Sequence, residues 1–270
     1  MTLIWGVLHV LTFTHAQILT WGAFGALWAL TSGWPVWGAL LAGMLTGGLL
    51  AVIIDVTVLA TLRRRGASEY AYVIATIGVA LILSAILKWH THSQYVALPR
   101  DGLPHGAMEI LGQNVPRLQA TVLGISVVVM TVLALWLGHT RSGRAMRAVA
   151  YSRESAELLG INSRRIYAMA HFISGVLAAL AGVFVSVATA NVSYSSGDRL
   201  LLTAFAVVVL GGMGSVWGAV AGGLLLGLIE VYATVYVSST FREAAAFLTI
   251  LVVLLVRPSG LFGARQAFRV

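Results

Sequence analysis

Residues 35–65 read PVWGALLAGMLTGGLLAVIIDVTVLATLRRR. Between positions 35 and 61 the one ionisable side chain is Asp55, and the stretch then ends in Arg63, Arg64 and Arg65. An α-helix needs about 20 mostly apolar residues to cross the ~30 Å hydrocarbon core of a bilayer. This segment is long enough and apolar enough to do so. The rest of the chain has the same character: 59% of the 270 residues are hydrophobic, 10% are charged and the mean hydropathy is +0.91. Soluble domains carry roughly 25% charged residues, and a core this apolar would leave too little polar chain to cover it. The expected fold is therefore all-α, a polytopic bundle of transmembrane helices forming one domain over 1–270.

Further crossings or partial crossings are expected at 16–31, 70–88, 119–138, 166–190, 200–212, 216–236 and 244–257, besides 35–61. No basic region precedes the first apolar stretch, so it reads as mature structure and not as a secretory signal. Cysteine is absent, which excludes disulfides, thiolate metal sites and a cysteine nucleophile. The formal charge of +8 does not form one polar face that would suit nucleic acid. Instead, twelve of the seventeen basic residues fall in three clusters: Arg63, Arg64 and Arg65; Arg141, Arg144, Arg147, Arg153, Arg164 and Arg165; and Arg257, Arg265 and Arg269.

Clustered arginines hold loops on the cytoplasmic side. With all three clusters there, 70–88 runs outward and 119–138 returns. The segment 89–118, punctuated by Pro99, Gly102, Pro104, Gly106, Gly112 and Pro116, becomes an external loop, and 139–165 a cytoplasmic one. Parity then requires 200–212 and 216–236 to form a pair before the last helix. The first is short for a full span, and the two are separated by Gly211, Gly212, Met213, Gly214 and Ser215. Irregular backbone at membrane depth survives only against protein or a watery cavity, so this break is expected to face inward.

The segment beginning Trp37-Gly38-Ala39 is repeated 180 residues later as Trp217-Gly218-Ala219, with Gly43 and Gly47 matching Gly223 and Gly227. By the parity argument the two copies run in opposite directions, the plan of an inverted repeat. The half-repeats extend over about 13–88 and 198–257. The second is preceded by a full helix and the first only by residues 1–12, so either the halves differ or a first helix is expected upstream of Met1. The four matched glycines read as close-packing positions.

The stretch Thr140-Arg141-Ser142-Gly143-Arg144-Ala145-Met146-Arg147-Ala148-Val149-Ala150, continued by Glu154-Ser155-Ala156-Glu157-Leu158-Leu159-Gly160-Ile161-Asn162, resembles the cytoplasmic loop of the branched-chain amino-acid ABC transporter permeases. Two more stretches are similar to that family: residues 204–215 with their glycine break, and Arg257-Pro258-Ser259-Gly260-Leu261-Phe262-Gly263. The run Ile74-Ala75-Thr76-Ile77-Gly78 resembles the H-type subunit of the permease pair. At Thr12-Phe13-Thr14-His15-Ala16-Gln17 the family pattern is Asn-Phe-Ala-His-Gly-Glu, so only Phe13 and His15 are kept, near the central pathway.

The resemblance implies a permease subunit of the bacterial inner membrane, paired with a second homologous permease, two cytoplasmic ATP-binding subunits and a periplasmic substrate-binding protein. It implies that Glu154, Ala156, Glu157, Gly160 and Asn162 belong to a coupling helix docking in an ATPase cleft. The residues suit a short helix: Ser152 can cap it, Glu154 and Glu157 favour its positive end, and Gly160 can stop it. No Walker A sequence is present, so the chain needs no cofactor of its own and ATP binds the partners. The competing reading of this loop is a basic anchor at the membrane surface.

Candidate pathway residues are His15 and Gln17 at a predicted helix break, Thr76, and Gly211, Gly212, Gly214 and Ser215. Asp55 and Glu230, near helix ends, read as interfacial or tilt-setting charges. Residues 191–198 read as an external turn capping the next helix. His90 and His92 lack a further ligand at a recognised metal spacing, and the eight tryptophans suit interfacial belts. The expected function is import of amino acids, branched-chain ones first. Urea or short-chain amides are the alternative within the family, and an ion-coupled secondary transporter is the alternative outside it. No His, Asp or Ser constellation supports a membrane enzyme.

Overall fold

The computed structural model describes residues 1–8, 12–99, 106–110, 112–212, 214–257 and 260–262. Gly102, Pro104, Met213, Pro258, Ser259, Gly263, Arg265 and Arg269, invoked above, lie outside them. In chain order the elements are α1 (Thr2–Leu8), α2 (His15–Thr31), α3 (Val36–Ile54), a π-helical segment (Asp55–Leu59), α4 (Ala60–Arg64), α5 (Glu69–His90), β1 (Val96–Ala97), β2 (Ala107–Ile110), β3 (Gln113–Pro116), α6 (Arg117–His139), α7 (Arg141–Tyr151), α8 (Arg153–Leu158), α9 (Ser163–Thr189), β4 (Asn191–Val192), α10 (Ser196–Gly211), α11 (Val216–Tyr236) and α12 (Arg242–Val256). Among the described residues five stretches are long and apolar enough to cross a membrane: Val36–Arg64, Glu69–His90, Arg117–His139, Ser163–Thr189 and Val216–Tyr236. The fold is thus an all-α membrane bundle. The segment 89–118 is not wholly irregular, since β2 pairs with β3, and β1 pairs antiparallel with β4 just after α9.

Contacts divide the chain into two units, Thr12–Asp198 and Met1–Leu11 with Arg199–Val270. In the first, α3 lies along both α2 and α9. The seam is made of small residues. A Cβ on Gly43 would stand 2.7 Å from the Gly22 carbonyl oxygen, and one on Gly47 would collide with the Ala179 Cβ and stand 2.8 Å from the Gly175 carbonyl. Lipid gives apolar side chains no reason to leave it, so helices in a bilayer associate through such close backbone approach. By contrast α5 and α6 bury little of their surface and leave apolar side chains such as Ile74, Leu81, Leu123 and Val128 exposed, as lipid-facing helices do.

In the second unit α11 lies beside α12, and Ala206, Leu226 and Ala246 form a buried cluster among α10, α11 and α12. α10 and α11 meet at Gly211 and Gly218, where a Cβ on either would strike the other's carbonyl. The matched glycines of the repeat do not behave alike. Gly223 has no neighbour nearer than the 3.6 Å of Val207, and Gly227 has none within 4 Å. Close packing falls instead on Gly218 and Gly222, so the reading of all four repeat glycines as packing positions holds for Gly43 and Gly47 and is corrected for the other two. α3 and α11 nonetheless both begin one residue before their Trp-Gly-Ala triplets, and Trp37 and Trp217 are each 66% exposed.

Candidate translocation pathway and coupling segment

α2 starts at His15, and its first turns collect polar groups that a lipid-facing helix would exclude. Thr12, Thr14, His15, Gln17 and Thr20 are all buried. His15 is held at both ring nitrogens: Nδ1 is 2.9 Å from Thr12 Oγ1 and Nε2 is 2.7 Å from Ser174 Oγ on α9. The Phe13 backbone N–H donates to Thr76 Oγ1 at 3.4 Å, which brings α5 to the same place. Two residues on, the Gln17 Nε2 amide donates to Asp198 Oδ1 at 2.9 Å. Thr20 Oγ1 accepts from the Gly197 backbone N–H at 3.0 Å while donating to the Ala16 carbonyl. His15, Gln17 and Thr76 therefore share one polar cluster, joined by Ser174 and Asp198, which the sequence did not single out as their partners. Among the described residues Gln17 Oε1 has no hydrogen-bond partner, although Gln17 is 1% exposed.

The glycine break belongs to the other unit. Gly212 (φ +96°) and Gly214 (φ +88°) occupy the left-handed region that side chains with a Cβ avoid. Ser215 caps α11, its Oγ accepting from the Gly218 N–H at 3.0 Å. Leu261 and Phe262 donate their backbone N–H groups to the carbonyls of Leu210 (2.8 Å) and Gly211 (3.1 Å). Two stretches singled out separately in the sequence are thus tied together by main-chain bonds at the end of α10.

Asp55, read from the sequence as an interfacial or tilt-setting charge, is buried within the protein and paired. It is 1% exposed, its carboxylate 2.7 Å from Arg63 Nη2 and 3.3 Å from His171 Nδ1. His171 Nδ1 also faces the Tyr167 carbonyl at 3.0 Å. Set between two oxygen acceptors, that nitrogen carries a proton. Arg63 lies over the Tyr167 ring, 4.7 Å from its centre. The π-helical turn at Asp55–Leu59 explains the pairing, because eight residues along a regular α-helix leave two side chains about 80° apart, whereas one inserted residue makes the spacing equivalent to seven, about 20° short of two turns. Glu230 is likewise buried, at 6% exposure.

The connection from α6 to α9 is made of α7 and α8. Thr140 caps α7 through the Gly143 N–H, and Arg147 donates to the carbonyls of Leu137 and Gly138, which fixes α7 against the end of α6. Ser152 Oγ accepts from the Ser155 N–H at 3.2 Å and so caps α8. Gly160 ends the turn at φ +81°, with no atom within 4 Å of where a Cβ would stand, and the Asn162 side-chain carbonyl oxygen accepts from the Arg165 N–H to open α9. Arg153 and Glu157 pair at 2.9 Å. That hydrogen bond holds the Glu157 carboxyl below its ordinary value and the Arg153 guanidinium above its own. Ala156 is buried, anchoring one face of α8, while Glu154 points outward among Tyr151, Leu158 and Leu159, which are 86%, 88% and 80% exposed.

Membrane-length helices, two of them closed with α2 on a glycine seam, and polar side chains gathered in the first turns of α2 define a multi-pass membrane protein. The chain belongs to the family described as branched-chain amino acid transport system / permease component, which it matches over residues 1–257. It is 28% identical to the high-affinity branched-chain amino acid transport system permease protein LivH of Escherichia coli K12, over all of this chain and 91% of that protein. It is also 28% identical, with the same coverage, to the corresponding permease protein BraD of Pseudomonas aeruginosa. The fructose import permease protein FruG of Bifidobacterium longum is 32% identical over 49% of this chain and 39% of its own length. No solved structure matches the chain.

Proposed function

We propose that this chain is a permease subunit of an ABC importer in a bacterial inner membrane, forming with a second homologous permease the path by which an amino acid, branched-chain ones first, enters the cell. Two cytoplasmic ATP-binding subunits drive it, a periplasmic binding protein delivers the solute, and the chain itself needs no cofactor. The observation that carries this reading is the face of α8. In the connection between two membrane spans, α8 and the residues at its two ends expose Tyr151, Leu158 and Leu159 together. Clustered exposed aromatic and aliphatic groups mark a protein contact. Glu154, Glu157, Gly160 and Asn162 shape and terminate that contact. The amino-acid substrate is supported by relatives aligned over all of this chain, whose names specify branched-chain amino acids.

An ion-coupled transporter would need a network of buried carboxylates, whereas Asp55 is committed to Arg63. The test is reconstitution with the partner subunits in proteoliposomes, measuring leucine uptake and solute-stimulated ATP hydrolysis beside urea and acetamide. Gly160→Val and Glu154→Lys should weaken ATPase co-purification or uncouple hydrolysis from uptake without impairing insertion. If both variants assemble and transport like the parent, α8 is a membrane anchor and the coupling role is wrong.

A further inference from the structure

On the side of the bundle where the arginines cluster, α4, α8 and the start of α9 enclose a cleft of about 270 Å³ lined by Ala60, Arg63, Arg64, Arg153, Arg164 and Tyr167. Four guanidinium groups thus share one small opening. Asp55 engages Arg63 and Glu157 engages Arg153. Among the described residues no carboxylate lies within ion-pair distance of Arg64 or Arg164, so two positive charges are left for an occupant. Arg63 Nη1, on a side chain only 14% exposed, has no hydrogen-bond partner among the described residues. A buried guanidinium nitrogen without an acceptor is costly, and an oxyanion in the cleft would supply one.

The position of the cleft says where that oxyanion comes from. It opens where the span Val36–Arg64 ends and the span Ser163–Thr189 begins, the depth at which lipid headgroups lie. We infer that the cleft binds a phosphate group, presented by an anionic phospholipid of the leaflet on the arginine side. Basic pockets between helices at this level suit such headgroups, and planar guanidinium forks match phosphate oxygens. Tyr167 and Ala60 provide a surface for the glycerol carbons. Arg63 takes part in the site while remaining committed to Asp55, so the occupant couples the end of one span to the start of another.

The purified full chain in detergent, stripped of lipid, is titrated with phosphatidylglycerol or phosphatidylcholine and the retained adducts are read by native mass spectrometry. Arg64→Gln and Arg164→Gln are compared with Arg141→Gln, an exposed arginine on α7 outside the cleft. Arg63 is left intact because Asp55 depends on it. Phosphatidylglycerol should be retained in preference to phosphatidylcholine, and each cleft substitution should reduce retention about fivefold, the factor that about 1 kcal/mol per basic residue at an anionic surface implies. Arg141→Gln should have no effect, and all three variants should melt like the parent. Inorganic phosphate alone is the second arm: saturable binding of phosphate with no preference for phosphatidylglycerol overturns the lipid source. Equal lipid retention in all variants overturns the site, and loss of ATPase co-purification with unchanged lipid retention makes the cleft a protein contact.

Discussion

Replacing Asp55 with Ala tests whether the buried ion pair holds α3, α4 and α9 together. The substitution removes the acceptor 2.7 Å from Arg63 Nη2 and leaves a guanidinium, 14% exposed, whose Nη1 has no partner among the described residues. Breaking a buried pair by deleting one member costs about 3–5 kcal/mol. Because the arginine borders an open cleft, water can reach part of it, which sets the expectation near the lower end, about 3 kcal/mol. His171 keeps the Tyr167 carbonyl and adds little to the loss. In Asp55→Ala/Arg63→Met both charges are gone and an apolar side chain fills the space, so stability should return to within about 1 kcal/mol of the parent. Reversible unfolding in mixed detergent micelles, followed by tryptophan fluorescence, measures all four corners of the cycle. A cost below about 1 kcal/mol for Asp55→Ala, or a double variant no more stable than the single, would refute the assignment of a structural ion pair.

The two glycines matched by the repeat should respond with opposite signs in the isolated chain. Gly47→Ala collides with Ala179 and should destabilise by about 1–3 kcal/mol, whereas Gly227→Ala meets open space and should stabilise its helix by up to about 1 kcal/mol, both read by the same unfolding assay. Gly160→Val strains a left-handed backbone position by about 1–3 kcal/mol, and faster amide exchange confined to α8 and its C-terminal turn should report it. Cysteine at Gln17 should react with a small aqueous thiol reagent in at least one transport state if the buried amide faces the pathway when it opens; protection in every state would make it core. The Glu157 carboxyl is depressed by Arg153, so its contribution to α8 is present above its ordinary value of 4.5 and is lost as pH falls through the lower folded value. Amide exchange in α8, corrected for the intrinsic pH dependence, should lose protection over that acidic range, and Arg153→Gln should remove most of that pH dependence.

The helices are legible in the sequence because hydropathy in a bilayer is a one-dimensional constraint. The expected 216–236 and the observed Val216–Tyr236 coincide, and 70–88 differs from Glu69–His90 by a residue or two at each end. Helix α8 and its ends are legible because caps are local: Ser152 and Gly160 act within a few residues of themselves. Contacts between distant residues are not. Nothing near Gln17 in sequence announces Asp198, 181 positions away, and His15 does not announce Ser174. The environment of a repeated glycine depends on which helix lies opposite, so identical spacing produces a tight seam at Gly47 and open space at Gly227. Asp55 escapes a sequence reading for a further reason: its partner sits eight residues on, a spacing that a regular helix would not align.

That inserted residue sets the register between the two ends of the span. Straightening the π-turn into regular α-helix with no residue removed would turn everything downstream by about 100°, carrying Arg63 and Arg64 off the side they share with Asp55 and Tyr167. Deleting one residue between positions 56 and 59 would instead give an unbroken helix on which Arg63, then seven residues from Asp55, keeps its face. In comparing relatives of this chain, a one-residue gap at this point is therefore compatible with both the ion pair and the cleft, whereas full length without the π-turn is not.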